Sequence, residues 1–263
     1  MILRAMISRL YWISFNTYRE AVRDRVLYNL IIFALLMVGS APFISQVSIG
    51  MERVFLINVG LTSISVFGVV IAVFLGMGLV SKEIDRKTLY TVLSRPVRRW
   101  EFITGKFFGL SATLMVNAAF MSLGLFLILF YVARSFQHED KYILIAIYFI
   151  VLQLLIITAL ALLFSSFSTP IFSAVFSLCM FILGSLSADL RSFANSAQGV
   201  EHQMATVAAY LVPNLSSLNV IARVAHDQTL SPSLIFYNTA YSLLYIIAVL
   251  SLAILIFEYR NLK

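Results

Sequence analysis

The chain alternates between long apolar runs and short charged segments. Six runs, at 26–46, 55–80, 107–133, 142–167, 170–188 and 234–257, hold 19 to 27 residues each. A bilayer core about 30 Å thick is crossed by roughly 20 apolar residues in a helix that rises about 1.5 Å per residue. Each run meets that length to within a turn. The pattern therefore predicts six transmembrane helices and an all-α polytopic membrane protein. The pieces left between the runs are too short to fold as separate soluble domains, so 1–263 reads as a single transmembrane domain.

Two polar segments carry a helical periodicity of their own. Over 1–25, Leu3, Met6, Leu10 and Ile13 recur at spacings of three and four beside Tyr11 and Trp12. Such a face suits an amphipathic helix in the membrane interface, with aromatic rings at headgroup depth. Over 189–233, Leu190, Phe193, Ala197, Val200, Met204, Val207 and Leu211 repeat likewise, with Gly199 as the weak point and Pro213 as the stop. A second apolar pattern follows at Leu215, Leu218, Ile221 and Val224–Ala225. Both read as short amphipathic helices resting in the outer interface.

Composition confirms the class. Hydrophobic residues make up 61% and charged ones 12%, with a mean hydropathy of +0.95, which excludes a soluble globular domain. The net charge of +7 lies beside the apolar runs and forms no aromatic-interleaved basic face, so nucleic acid is not an expected partner. With the N-terminus inside, fourteen Lys and Arg fall on inner segments and five on outer ones. By the positive-inside rule both termini are cytoplasmic. Cys179, the one cysteine, cannot form an intrachain disulfide and is expected as a small buried hydrophobe.

Candidate chemistry is sparse. No Asp, Glu, Lys, Arg or His lies deep in any run, which argues against ion-coupled transport by this chain alone. Asn117, Gln153 and Asn238 are the polar groups at depth and read as hydrogen bonds between helices. Gly68, Ala72, Gly76 and Gly78 would permit close helix contact, within the chain or with a second copy. His138, His202 and His226 have no metal-ligand spacing, and no Gly-x-Ser-x-Gly elbow occurs. Gly105-Lys106 is followed by Phe107, so it is no phosphate loop. No catalytic residue, metal or cofactor is expected on this chain.

The densest charge lies in 81–106, SKEIDRKTLYTVLSRPVRRWEFITGK. After Glu83-Ile84-Asp85, the residues Leu89, Val92 and Leu93 form an apolar stripe, and Pro96 ends the helix. A second turn begins near Trp100-Glu101 and leads into the third run. A short helix tied at both ends to spanning helices can turn a push from a partner into tilting of those spans. A loop that only anchors topology is the competing reading.

The residues Lys82-Glu83, Arg86, Thr88, Leu93-Ser94-Arg95-Pro96-Val97, Glu101 and Gly105-Lys106 resemble the membrane subunits of type-2 ABC transporters. Lys87 stands where that family usually has glycine before Thr88. The resemblance implies a permease subunit driven by separate ABC ATPase subunits, which bind the ATP and Mg, and a second permease copy or a paralogue. It identifies 81–106 as a coupling segment, with Glu83, Arg86, Thr88, Ser94, Arg95, Pro96 and Glu101 contacting the ATPase or bracing the helix. It also implies a place in the lipid bilayer of a prokaryotic cytoplasmic (inner) membrane, and export rather than import. A membrane enzyme acting on lipid and a non-transporting scaffold coupled to an ATPase are the alternatives.

Overall fold

The computed structural model describes residues 2–23, 28, 31–32, 35–36, 39–40, 52–77, 98–133, 141–197, 199–226 and 228–259. All regular structure among them is helical. The helices are α1 (Ile2–Val22), α2 (Glu52–Met77), α3 (Arg99–Ala133), α4 (Lys141–Phe167) and α5 (Pro170–Ser185), then α6 (Ser187–Ser196), α7 (Val200–Leu211), α8 (Ile221–Ala225) and α9 (Pro232–Tyr259). A 3-10 turn, Ser216–Leu218, lies between α7 and α8. The chain is an all-α polytopic membrane protein.

Four helices, α2, α3, α4 and α9, are long and apolar enough to cross a membrane unbroken. They correspond to the second, third, fourth and sixth predicted runs. The fifth run differs. Its helix stops at Ser185 and turns through 63° into α6. Gly184 sits at the bend, where a Cβ would lie 2.8 Å from Leu215 and 2.9 Å from the Pro213 carbonyl. The crossing segment also donates from Leu215 N to Gly184 O at 3.2 Å. A distant stretch of chain thus fixes a bend that an unbroken apolar run cannot reveal. Of the first predicted run, only 28, 31–32, 35–36 and 39–40 are described, and all are helical.

α4 is the hub. It packs against α2, α3, α5 and α9 and against the 3-10 turn and α8. Inside a bilayer, apolar burial gives little preference for helix over lipid, so close packing decides which faces meet. The α2–α4 seam shows this. A Cβ on Gly76 would lie 2.6 Å from the Ala161 Cβ, and one on Gly68 2.8 Å from Leu154. The small-residue stripe therefore serves contact within the chain, while Gly78 lies outside the described residues. α5 turns a face of Ser173, Ser177 and Gly184 inward, and Ser173 donates to the Ala161 carbonyl at 3.1 Å. Cys179 is exposed on α5 rather than buried.

These contacts give the bundle two ends. α1, the start of α3 and the end of α9 share one, here termed the foot. α6, α7, the 3-10 turn and α8 share the other, the head.

Candidate functional site

The foot is built around the first turn of α3. Arg98 is its N-cap, and Glu101, three residues on, accepts from Arg98 N through Oε2 at 3.1 Å. This is the backward half of a capping box, in which an acid at the third helical position satisfies an otherwise orphaned amide. The other oxygen, Oε1, accepts from Arg9 Nη2 of α1 at 3.0 Å. One carboxylate thus starts α3 and fastens α1 to it. Glu101 is 1% exposed, so it braces the helix and presents no surface to a partner.

A glycine pair brings α1 this close. A Cβ on Gly105 would lie 2.6 Å from Ile13 Cγ2, and one on Gly109 2.6 Å from the Ser14 carbonyl. Spaced four apart on α3, the two glycines make a groove that receives the α1 backbone. Ile13, expected to face lipid, faces this groove instead. The opposite side of α1 remains open, with Tyr11, Trp12 and Phe15 exposed and in mutual ring contact. α1 is therefore an amphipathic helix whose apolar stripe meets protein and whose aromatic edge is free for the membrane interface.

Two more cations complete the foot. Arg99 Nη1 donates to the Phe257 and Glu258 carbonyls at 2.8 and 2.7 Å, closing the last turn of α9 where carbonyls lack helical partners. Its guanidinium also lies 5.9 Å from the Phe257 ring centroid, and that ring stacks on Phe102 at 5.9 Å. Lys106, 3% exposed, reaches Glu20 of α1 at 3.9 Å and lies 5.4 Å from the Phe102 centroid. The first two turns of α3 are thus tied to α1 by Glu101 and Lys106 and to α9 by Arg99 and Phe102. Of the seven residues singled out in the sequence, the structure places Glu101 in this cluster. Glu83, Arg86, Thr88, Ser94, Arg95 and Pro96 lie outside the described residues. Arg9, Glu20, Arg99 and Gly109 were missed. The repeat of Gly at 105 and 109 was their one visible signal.

Among its described residues, the head is held by neutral hydrogen bonds. Asn214, after the helix-stopping Pro213, accepts from Ser187 Oγ at 2.9 Å and Ser216 Oγ at 3.0 Å. Its own backbone N–H donates to the Tyr241 hydroxyl at 2.8 Å. Asn238 donates to the Ser217 carbonyl at 2.8 Å, and the Tyr245 hydroxyl to the Leu211 carbonyl at 3.2 Å. These bonds pull 212–225 inward, so that Leu215, Leu218 and Val224 are at most 2% exposed. The second outer pattern is thus sunk into the bundle instead of resting on it. The first pattern divides at Gly199, whose φ of +66° costs glycine little, and His202 Nδ1 lies 2.6 Å from the Ala194 carbonyl across that break.

An all-α chain with a braced α3 foot and an inserted segment before its last span matches one family over almost its whole length. The sequence model of ABC-2 family transporter proteins fits residues 11–262. The chain belongs to the ABC-2 transporter family. It is accordingly a multi-pass membrane permease component of an ABC transporter. Among curated proteins none matches the chain. Within the ABC-2 chain, the foot contains 98–106, the described end of the segment 81–106 that the sequence reads as a coupling segment.

Proposed function

We propose that this ABC-2 chain is the permease half of an ATP-driven exporter in a prokaryotic cytoplasmic membrane. The foot and both termini face the cytoplasm, where most Lys and Arg then fall. Separate ABC ATPase subunits dock on 81–106 and bind the ATP and Mg, since this chain carries no phosphate loop. A second copy, or a paralogue, completes the pathway.

The observation that carries this reading is the double use of Glu101, which caps α3 at Arg98 and holds Arg9. A push on the preceding segment reaches the first turn of α3 directly. Because Glu101 and Arg99 bind that turn to α1 and α9, the three helix ends move together. The coupling segment thereby acts on a rigid foot instead of a single flexible helix end.

The test is a mild-detergent pull-down of the tagged chain with mass spectrometry, followed by ATP turnover of whatever is retained. A stoichiometric ATPase is expected, together with Glu83→Lys and Arg95→Glu variants that still assemble but lose transport. Transport that survives both reversals would end the coupling reading. Absence of any ATPase, under conditions that preserve a control complex, would break the coupling reading and move the lipid-enzyme alternative to the front.

A further inference from the structure

Below the inserted segment of the head lies a cavity of about 240 Å³ between α2, α4, α5 and α8. Its wall is unusually polar for an apolar bundle, and it is partly open, since Thr62, Ser185 and Asn219 are exposed. Asn58, Thr62 and Ser65 line it from one face of α2 at spacings of four and three, and Gln153, Ser185 and Asn219 close it from the other elements. No titratable side chain is among the described lining residues. Ser65 and Gln153, the innermost pair, are 13 and 12 residues from the head ends of their helices, about 20 Å along the axis.

The hydrogen-bonding capacity of this wall is only partly spent: Ser185 Oγ donates to the Phe181 carbonyl at 2.9 Å and Asn219 Oδ1 accepts from Ile221 N at 3.3 Å. Gln153 uses one N–H, donated to Ser65 Oγ at 3.0 Å; a side-chain amide has two such donors and a carbonyl acceptor. Asn58 and Thr62 make no side-chain hydrogen bond to another described residue. Polar groups placed in an apolar setting lose water unless a partner replaces it. An ion here would meet no counter-charge among the described lining residues, which makes a charged occupant costly. Amides and hydroxyls both donate and accept, and a sugar hydroxyl does the same. The volume falls just below the usual range for a ligand pocket, which limits the occupant to about one ring.

We propose that this cavity binds an uncharged, hydroxyl-rich group of single-sugar size, either free in solution or as the headgroup of a glycolipid. The two sources share one recognition chemistry. Binding is independent of ATPase docking at the foot, so the site and the coupling reading can fail separately.

The full-length chain in phosphatidylcholine nanodiscs is suitable for the test. In the soluble arm, methyl glucoside is titrated and followed by saturation-transfer NMR, with inorganic phosphate and choline as charged probes. In the lipid arm, discs doped with monoglucosyl diacylglycerol or with plain diacylglycerol are compared by native mass spectrometry of retained lipid. Saturable binding of the glucoside, or selective retention of the glucolipid, is expected. Thr62→Val and Gln153→Leu should each weaken it about tenfold, the loss of one well-made hydrogen bond. Thr62 is exposed, so its near-isosteric valine keeps the fold. Retention of the ATPase by both variants separates this result from coupling. The proposal is overturned if neither neutral probe binds, leaving only water in the cavity. It also fails if phosphate or choline binds equally well, or if both variants bind like the parent.

Discussion

The foot and the head hold similar numbers of helix ends together by opposite means. At the foot, Arg9, Glu101, Arg99, Lys106 and Glu20 join α1, α3 and α9 through charge. At the head, Asn214, Ser187, Ser216, Asn238 and Tyr241 hold the inserted segment through neutral hydrogen bonds. Charge-assisted bonds are shorter and stronger, and a buried one is costly to break. A neutral network is directional and weaker per bond, and it leaves no uncompensated charge when it opens. A region that must transmit force benefits from the first arrangement. A region that must part around an uncharged ligand benefits from the second.

Glu101→Ala should have the largest effect. It removes the α3 cap and leaves Arg9, whose side chain is 33% exposed, without its carboxylate. The expected cost is about 3 kcal/mol, the lower part of the range for a broken buried pair because Arg9 keeps some contact with solvent. The two tryptophans, Trp12 and Trp100, lie on α1 and in the first turn of α3, so intrinsic fluorescence during unfolding in detergent reads the foot directly. The swap Arg9→Glu with Glu101→Arg should recover the pair while leaving a deficit of about 1 kcal/mol, since arginine cannot accept from Arg98 N. A swap no better than either single change would show that the ion pair is incidental.

Gly109→Val comes next. Its branched side chain would meet the Ser14 carbonyl, which cannot turn aside as a side-chain tip can. A loss of about 1–3 kcal/mol is expected, with a shift in tryptophan emission as α1 is lifted. Gly124→Ala supplies the control. A Cβ there meets only Leu35 Cδ2 at 3.0 Å, so its midpoint should stay near the parent's. Equal effects at the two glycines would mean that α1 does not lie in the Gly105–Gly109 groove.

These two sites show what could be read before the fold was known. Spans were legible because a helix crossing lipid must be apolar for its full length, which holds for α2, α3, α4 and α9. The break at Gly199 was legible because glycine interrupts an otherwise continuous periodicity. The bend after α5 was not. Its apolar run continues through Leu186 and Ala188, and the cause is Leu215 packing on Gly184 from 31 positions away. Amphipathic spacing marked Leu215, Leu218 and Ile221 but could not say whether their apolar face meets lipid or protein, because both are equally dry. At the foot, Glu101 stood out as one acid in a charged segment. Its partner Arg9 lies 92 residues earlier, and no local period connects them.

Asn214→Leu tests the head. It deletes the acceptor shared by Ser187 and Ser216, at a cost of about 1–2 kcal/mol for the two bonds. Hydrogen exchange should rise across 212–225 while tryptophan emission stays unchanged. Combined with Glu101→Ala, the two losses should add to within about 0.5 kcal/mol, as sites without shared partners do. A coupling larger than that would mean foot and head report on one cooperative element instead of two.

Salt gives the smallest effect and the sharpest division. The Lys106–Glu20 pair is 3.9 Å long and Glu20 is 61% exposed, so it belongs with screened surface pairs worth less than about 1 kcal/mol. Raising ionic strength from about 0.05 to about 0.5 M shortens the screening length from roughly 14 to roughly 4 Å. The fluorescence midpoint of the foot should fall slightly, and Glu20→Gln should remove most of that response. Glu101 contributes little to it, because a carboxylate 1% exposed is screened far less than a surface one. Exchange across 212–225 should not respond to salt, since no ion pair joins the described residues of that segment to α5 or α9. A head that loosened with salt as readily as the foot would contradict its reading as a neutral network, and with it the reason to expect an uncharged ligand beneath it.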